Sequence, residues 1–371
     1  MNIAKFIIPL VACTALFGCR NEQSSKVETW ELNNWMSAVD DTVRVCKMSI
    51  PGSHDALTGC GFTDDKYIDD YTTQVATLDE QLEGGIRYFD VRLVLNEGSG
   101  KTILQASHRT ATINLTFTDV LDKVKEFFTN HPSEFVIVKI QYDGGDMNED
   151  IQVKWSETLK SVINAEAYRT CFVDFRPDLR VRDLRGKILL LSRTAYGEPV
   201  SGALTNWTDE GSAGHIHFDS LAERTLVLAP TPDASEAFQG GDHPLSARLY
   251  VQDYYNSMGS RIDEKLRAVE AMYHSAMQVC PDENVWIINH TSGFSSPKMN
   301  AIGYAENASR TNAKLLSLLQ ADTTSTTSLG IIAMDYACLD TLNQSIGTLG
   351  AITRTVLSKS LTRAVIVRNK K

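Results

Sequence analysis

His54 and His108 each stand where a short apolar run breaks off, the first in Ser49-Ile50-Pro51-Gly52-Ser53-His54-Asp55 and the second in Ser107-His108-Arg109. Between them, Phe89-Asp90-Val91-Arg92 sets a carboxylate and a guanidinium on alternate residues, which on a strand puts both on one side. Further apolar runs carry Lys139 or end at Arg193, at Asp253 with Tyr255 beyond it, and at Asp335-Tyr336. Singly these residues are ordinary: a lone His at a strand end is usually a hydrogen-bonded structural group, and an Asp after a strand often caps the next helix. As a set they describe a chemistry. Two imidazoles on one site supply a general base and a general acid near neutral pH. An Arg beside them binds phosphate oxygens bidentately and stabilises charge that develops there. Carboxylates next to the imidazoles hold the tautomer and stabilise the imidazolium. The combination suits cleavage of a phosphodiester without an obligatory metal.

Such residues converge only if the elements carrying them do. Strands are expected at Val43–Met48, Arg87–Leu95, Thr102–Ala106, Phe135–Tyr142, Lys187–Ser192, Arg248–Gln252, Val285–Asn289 and Leu329–Met334. Several are rich in Val and Ile with little alternation, the pattern of strands buried on both faces. Helices are expected at Thr118–Thr129, Asp150–Ala165, Gly259–Gln278, Tyr304–Leu319 and Leu342–Ser358. In the first, Val120, Leu121, Val124, Phe127 and Phe128 share a face, and Thr116 with Asp119 forms a capping-box signature. Strands alternating with helices predict an α/β fold, an irregular (β/α)8 TIM-type barrel whose strand ends meet on one face. The stretch around 195–247 is rich in Gly, Ser, Thr, Asp and Pro and reads as a loop insertion on that barrel, so 29–371 forms a single domain.

Composition limits the alternatives. With 43 % hydrophobic and 22 % charged residues the chain is neither disordered nor a polytopic membrane protein. A net charge of −10 argues against a general nucleic-acid binder while leaving room for a local cationic pocket. G-x-S-x-G, H-E-x-x-H, P-loop and G-x-G-x-x-G signatures are absent. The N-terminus begins with Lys5 and a short apolar run, Phe6 to Phe17, too short for a membrane-spanning helix. Leu16-Phe17-Gly18-Cys19 has the form of a bacterial lipobox: residues 1–18 a signal peptide, Cys19 the lipidated first residue, 19–28 a tether. An exported lipoprotein on a cell-envelope membrane is the localisation this implies. Of the remaining cysteines, Cys46, Cys60, Cys171, Cys280 and Cys338, the nearest pair in sequence is Cys46 with Cys60, and no CxxC spacing points to zinc.

The ordered set resembles the bacterial phosphatidylinositol-specific phospholipase C family, of the metal-independent type. The likeness runs from Met48 to Tyr336. It rests on Met48-Ser49-Ile50-Pro51-Gly52-Ser53-His54-Asp55, Gly85-Ile86-Arg87-Tyr88-Phe89-Asp90-Val91-Arg92, His108, Pro132-Ser133-Glu134, Arg185-Gly186-Lys187, Val251-Gln252-Asp253 and Met334-Asp335-Tyr336. The resemblance implies roles. His54 would be the base that deprotonates the inositol 2-hydroxyl and His108 the acid that protonates the diacylglycerol oxygen. Arg92 would neutralise the phosphate, Asp335 orient His54, Asp55 support His108, and Asp90 lie beside Arg92. Lys139, Arg193 and Asp253 would hydrogen-bond the inositol ring and Tyr255 would stack on it. Phosphatidylinositol, free or in a glycosylated anchor, would yield diacylglycerol and inositol 1,2-cyclic phosphate, so the enzyme would be a lyase acting as a monomer at a membrane surface. No cofactor is implied: Asp55 follows His54 where calcium-dependent relatives carry Asn, and Arg92 takes the place of the metal. Two features depart from the family. The segment before Asp253 is long and holds His215-Ile216-His217 and Asp242-His243, an H-x-H pair that could ligate a metal. No apolar rim stands out, leaving Trp207, Phe218, Phe62 and Tyr67 as candidates for lipid contact. The competing readings are a related barrel phosphodiesterase acting on another glycerophosphodiester or a sphingolipid, and a non-catalytic lipid- or glycan-binding lipoprotein.

Overall fold

The computed structural model describes residues 31–98, 100–193, 202–205, 226–229, 246–279, 283–296, 300–323 and 325–370. The lipobox with Cys19, the tether, Cys280, the His215-Ile216-His217 and Asp242-His243 motifs, Trp207 and Phe218 lie outside these residues. In chain order the strands are β1 (Ser49–Ser53), β2 (Tyr88–Gly98), β3 (Lys101–His108), β4 (Ala111–Thr116), β5 (Val136–Tyr142), β6 (Ile188–Ser192) and β7 (Gly202–Thr205). They continue as β8 (Leu226–Ala229), β9 (Ala247–Gln252), β10 (Val285–His290), β11 (Gly330–Met334), β12 (Thr341–Ser345) and β13 (Ala351–Thr355).

The order β1-β11-β10-β9-β8-β7-β6-β5-β2 is closed on itself, because β1 also pairs with β2 through Gly52–Tyr88 and Ser53–Phe89. Among the described residues the ring strands run parallel except β8, which is antiparallel to both neighbours. Period-two alternation decides what faces where. Phe89, Val91 and Leu93 of β2, Val136, Val138 and Ile140 of β5, and Ile332 and Met334 of β11 belong to the outer core. There they meet Val120, Leu121, Val124, Phe127 and Phe128 of the helix Phe117–Asn130, whose start is fixed by the Thr116–Asp119 capping box. The intervening residues, Asp90 and Arg92 among them, point into the barrel. Gly52 faces inward too: a Cβ there would stand 2.6 Å from Tyr88 Cδ1, so the glycine admits the Tyr88 ring.

Four expectations change. Val43–Met48 is a 3-10 turn at Val45–Lys47 and the strand begins at Ser49; a short apolar run does not by itself separate a buried turn from a strand. The strand expected at Thr102–Ala106 is β3, which pairs antiparallel to β2 and lies outside the ring. Only two residues separate Gly98 from Lys101, far too few for the crossover of about a dozen residues that a parallel strand needs. The stretch around 195–247 is more than loop, because β7 and β8 complete the barrel wall. Leu342–Ser358 is the antiparallel hairpin β12–β13, with the helix following at Ser358–Val367. Leu342, Ile346, Leu349, Ile352 and Val356 keep helical spacing and all pack into one cluster, but Gly347 and Gly350 at positive φ break the helix between them. Cys46, Cys60, Cys171 and Cys338 are free thiols.

Candidate active site

At the C-terminal end of the barrel, β1 delivers His54 and Asp55. The chain turns sharply there, with Asp55 in the left-handed region at φ 42°, and its side chain is driven back into the barrel mouth. β2 supplies Asp90 and Arg92, and β11 ends at Asp335. The long β2 rises past the rim, and the antiparallel return of β3, with Leu93 opposite Ala106, brings His108 back beside them.

His54 Nδ1 donates to Asp335 Oδ1 at 2.9 Å, and the Gly293 N–H donates to Asp335 Oδ2 at 3.1 Å, so the carboxylate is fixed from both sides. His108 Nδ1 donates to the Tyr71 carbonyl at 2.8 Å, with the Tyr71 ring edge-on at 5.1 Å. Both Nε2 atoms therefore face one space, and Asp55 Oδ2 lies between them, 3.4 Å from His54 and 3.2 Å from His108. Asp55 Oδ1 pairs with Arg92 Nε. The Arg92 guanidinium further meets Asp90 and Asp143, each at 3.6 Å, and stands 3.4 Å from His54 Nε2.

Behind this layer, Lys139 Nζ donates to Asp90 Oδ1 at 2.7 Å, as the pairing of Asp90 with Lys139 across β2 and β5 requires. Gln141 accepts from Lys139 at 3.3 Å and from Arg193 at 3.2 Å. The cleft is lined by His54, Asp55, Arg92, His108, Arg109, Arg193, Asp253, Tyr255, Gly293, Phe294 and Tyr304. Of the predicted site residues, Asp90, Lys139 and Asp335 are buried beneath that lining. Lys139, expected to hydrogen-bond a ring in the cleft, is buried below that lining and donates to Asp90. Tyr255 is in the lining and packs on Phe294 at 5.5 Å. Of the described aromatics considered for lipid contact, Phe62 is buried in the core and Tyr67 packs on Tyr71.

The electrostatics follow from these distances. Burial opposes charge on His54, but the Asp55 and Asp335 carboxylates outweigh it and raise the imidazole to about 9. Burial alone would raise Asp55; Arg92 and the two imidazoles hold it below the usual carboxylate range. Asp90 is held well down against burial by Lys139 and Arg92. Sequence reasoning missed His290 at the end of β10, its ring 5.9 Å from that of His54 and its Nδ1 3.9 Å from Asp253. Burial pushes His290 down to about 3, so it is neutral at neutral pH. Also missed were Tyr304, Asp143 and Arg109. Their signal was faint, since Tyr304 sits inside a helical pattern and Asp143 reads as a turn residue before Gly144-Gly145.

His54, Asp55 and Asp90 offer three ligand atoms within 4.8 Å of one another, the one such group among the described residues. The Arg92 guanidinium already stands against both of these carboxylates, supplying the positive charge a cation would bring. This donor set therefore fits a divalent ion poorly. Volume alone would mislead here. A groove of ≈ 660 Å³ at the opposite end of the barrel holds Arg44, Lys47 and Arg180 but no histidine.

Comparison with known proteins agrees with this geometry. Residues 48–194 match the family described as phosphatidylinositol-specific phospholipase C, X domain. The 1-phosphatidylinositol phosphodiesterase of Listeria monocytogenes is 31 % identical over 170 residues, which are 45 % of this chain and 50 % of that protein. The chain thus aligns with half the length of that relative. The enzyme of the same name from Staphylococcus aureus is 23 % identical over 324 residues, covering 82 % of this chain and 88 % of that one. A solved structure of the Staphylococcus aureus phosphatidylinositol-specific phospholipase C superposes with a TM-score of 0.67 at 19 % identity, over 90 % of this chain and 97 % of that chain, which establishes the barrel fold. The stretch that matches the X domain of phosphatidylinositol-specific phospholipase C, residues 48–194, is the one that brings His54, Asp55, Asp90, Arg92, His108, Lys139 and Arg193 together.

Proposed function

We propose that this chain is a phosphatidylinositol-specific phospholipase C that works as a lyase, by attack of the inositol 2-hydroxyl on its own phosphodiester. The observation that carries the reading is the pair of imidazoles whose Nε2 atoms face one cleft, each fixed at Nδ1 by an acceptor, with Arg92 beside them. His54, held by Asp335, takes the 2-hydroxyl proton. The freed oxygen bonds to phosphorus within the same molecule, where proximity replaces a second-order encounter. His108, its Nε2 beside Asp55, gives its proton to the departing diacylglycerol oxygen as the phosphorus–oxygen bond breaks. Arg92 takes the charge gathering on the phosphate oxygens, releasing part of its hold on Asp55, Asp90 and Asp143. The products are diacylglycerol and inositol 1,2-cyclic phosphate, and the enzyme returns with the proton on His54 instead of His108.

Arg193 and Asp253 in the lining suit hydrogen bonds to ring hydroxyls and Tyr255 suits stacking, while the Lys139–Asp90 pair keeps Arg92 in place from below. The names of the relatives support phosphatidylinositol as substrate, and Arg92 in the carboxylate cluster supports metal independence. The same reading places a monomer at a membrane surface, anchored through lipid on Cys19. The decisive experiment incubates purified protein with phosphatidylinositol vesicles and a chelator and follows phosphorus NMR. A five-membered cyclic phosphate as the first product supports the lyase; inositol monophosphate without a cyclic precursor overturns it. Fatty-acid labelling that persists in Cys19→Ala would rule out the anchor.

A further inference from the structure

Asp143, which no sequence signal singled out, stands directly past β5, its own N–H donating to the Leu93 carbonyl at 2.9 Å. Its carboxylate faces two partners at once. One oxygen accepts the backbone N–H of Arg109, and the other lies 3.6 Å from the Arg92 guanidinium. Arg109 follows His108 in the chain and holds φ at 54°, a left-handed conformation that residues other than glycine rarely adopt. A turn of that kind persists where its surroundings enforce it, and here the Asp143 carboxylate caps the amide that the turn presents. The His108 ring has its own tether at the Tyr71 carbonyl, so backbone on one side and ring on the other are both fixed.

We infer that Asp143 is a positioning residue that sets the general acid: it locks the turn behind His108 and ties that turn to the phosphate-binding Arg92. The inference rests on the function proposed above. Loss of Asp143 leaves Arg92 with Asp55 and Asp90, whereas the Arg109 amide loses its carboxylate. The damage falls on proton delivery to the leaving oxygen and spares charge stabilisation at phosphorus.

Leaving-group chemistry separates the two. Phosphatidylinositol expels a basic alkoxide that must be protonated; an inositol phosphodiester with a p-nitrophenyl group expels a phenolate that needs no acid. His108→Ala on both substrates sets the scale for loss of the acid. Asp143→Ala is expected to lower turnover of phosphatidylinositol about 100-fold, and that of the aryl ester only severalfold. Asp143→Asn keeps an oxygen to accept from Arg109 and should stay within about tenfold of wild type on both. Should the alanine variant fail to fold, Asp143→Ser, too short to span the gap, carries the same expectation. Equal losses on the two substrates, or no loss, overturn the positioning role while leaving the proposed function intact. A wild-type protein that cleaves neither substrate overturns both.

Discussion

Arg87 and Arg92 belong to the same stretch of chain, one just before β2 and the other within it, and they have opposite fates. Arg87 is fully buried at the base of the barrel. Its Nε meets Glu134 at 2.7 Å, and its remaining donors go to the Leu82, Ile86 and Asn33 carbonyls at 2.6, 2.8 and 2.8 Å. Burial, only partly opposed by Glu134, pulls its pKa down. Arg92 at the rim keeps 18 % of its side chain exposed and faces three carboxylates, two of them at 3.6 Å. Those carboxylates outweigh burial and push its pKa well up. The base meets this guanidinium with Glu134 and backbone carbonyls, four of the contacts at 2.6–2.8 Å and a fifth, to the Leu32 carbonyl, at 3.5 Å. The rim gathers three carboxylates on one guanidinium, two of them held only at 3.6 Å, an arrangement that a phosphate can enter and rearrange. Structural support and the proposed catalysis thus divide within one short stretch of chain.

The sharpest way to break this division is to remove an imidazole. His54→Ala and His108→Ala should each cut cyclic phosphate release by about four orders of magnitude while both variants still unfold in one cooperative transition; loss of that transition would mean that the rim holds the fold together. Asp335→Asn comes next, with a loss of about 10³ in kcat from the disturbed tautomer. It also shifts a pH profile. A base raised to about 9 is protonated and idle below that pH, so kcat/KM should rise with pH through about 9 and, in Asp335→Asn, through a lower value. Stability runs the opposite way: the preference of folded His54 for its proton favours the native state fully below 6.5 and fades as pH rises through about 9. Denaturant titrations across that window should show this fall, flattened in the variant.

Arg92→Lys keeps the charge and loses the fork, so a loss of about 10² to 10³ in kcat is expected with unchanged unfolding. Glu134→Ala sharpens the other side: leaving Arg87 buried without its carboxylate should cost about 3–5 kcal/mol in chemical denaturation, with kcat of the folded fraction near wild type. The smallest expected effect is none. A chelator should leave turnover within error, and activity that returns only on adding calcium would show that Arg92 does not replace a metal.

Much of the site was legible because strand periodicity and residue type act locally. Asp90 with Arg92 on one side of a strand, the Thr116–Asp119 cap and the apolar face of the helix after it need only neighbours in sequence. Elements misread from sequence were those whose state depends on distant partners. Leu342 to Val356 kept a helical rhythm and folded as a hairpin, and β3 had the composition of a barrel strand yet lies outside the ring. His290 was passed over because nothing beside it in sequence says that His54 and Asp253 will be its neighbours.

By itself the sequence determined the chemistry available: two imidazoles, a guanidinium and carboxylates at the ends of apolar runs, with no nucleophile elbow or nucleotide loop. Side-chain identity fixes which protons and charges can be offered, and that needs no coordinates. Only the tertiary structure decided how they are shared. Ring closure through β1 and β2 sets one Asp55 oxygen between two imidazoles, sinks Lys139 beneath Asp90, and brings Asp143 to the turn behind His108. These are pairings between residues far apart in the chain, and they exist because a closed barrel brings the ends of its strands to one rim, where burial and mutual charge set the state of each group.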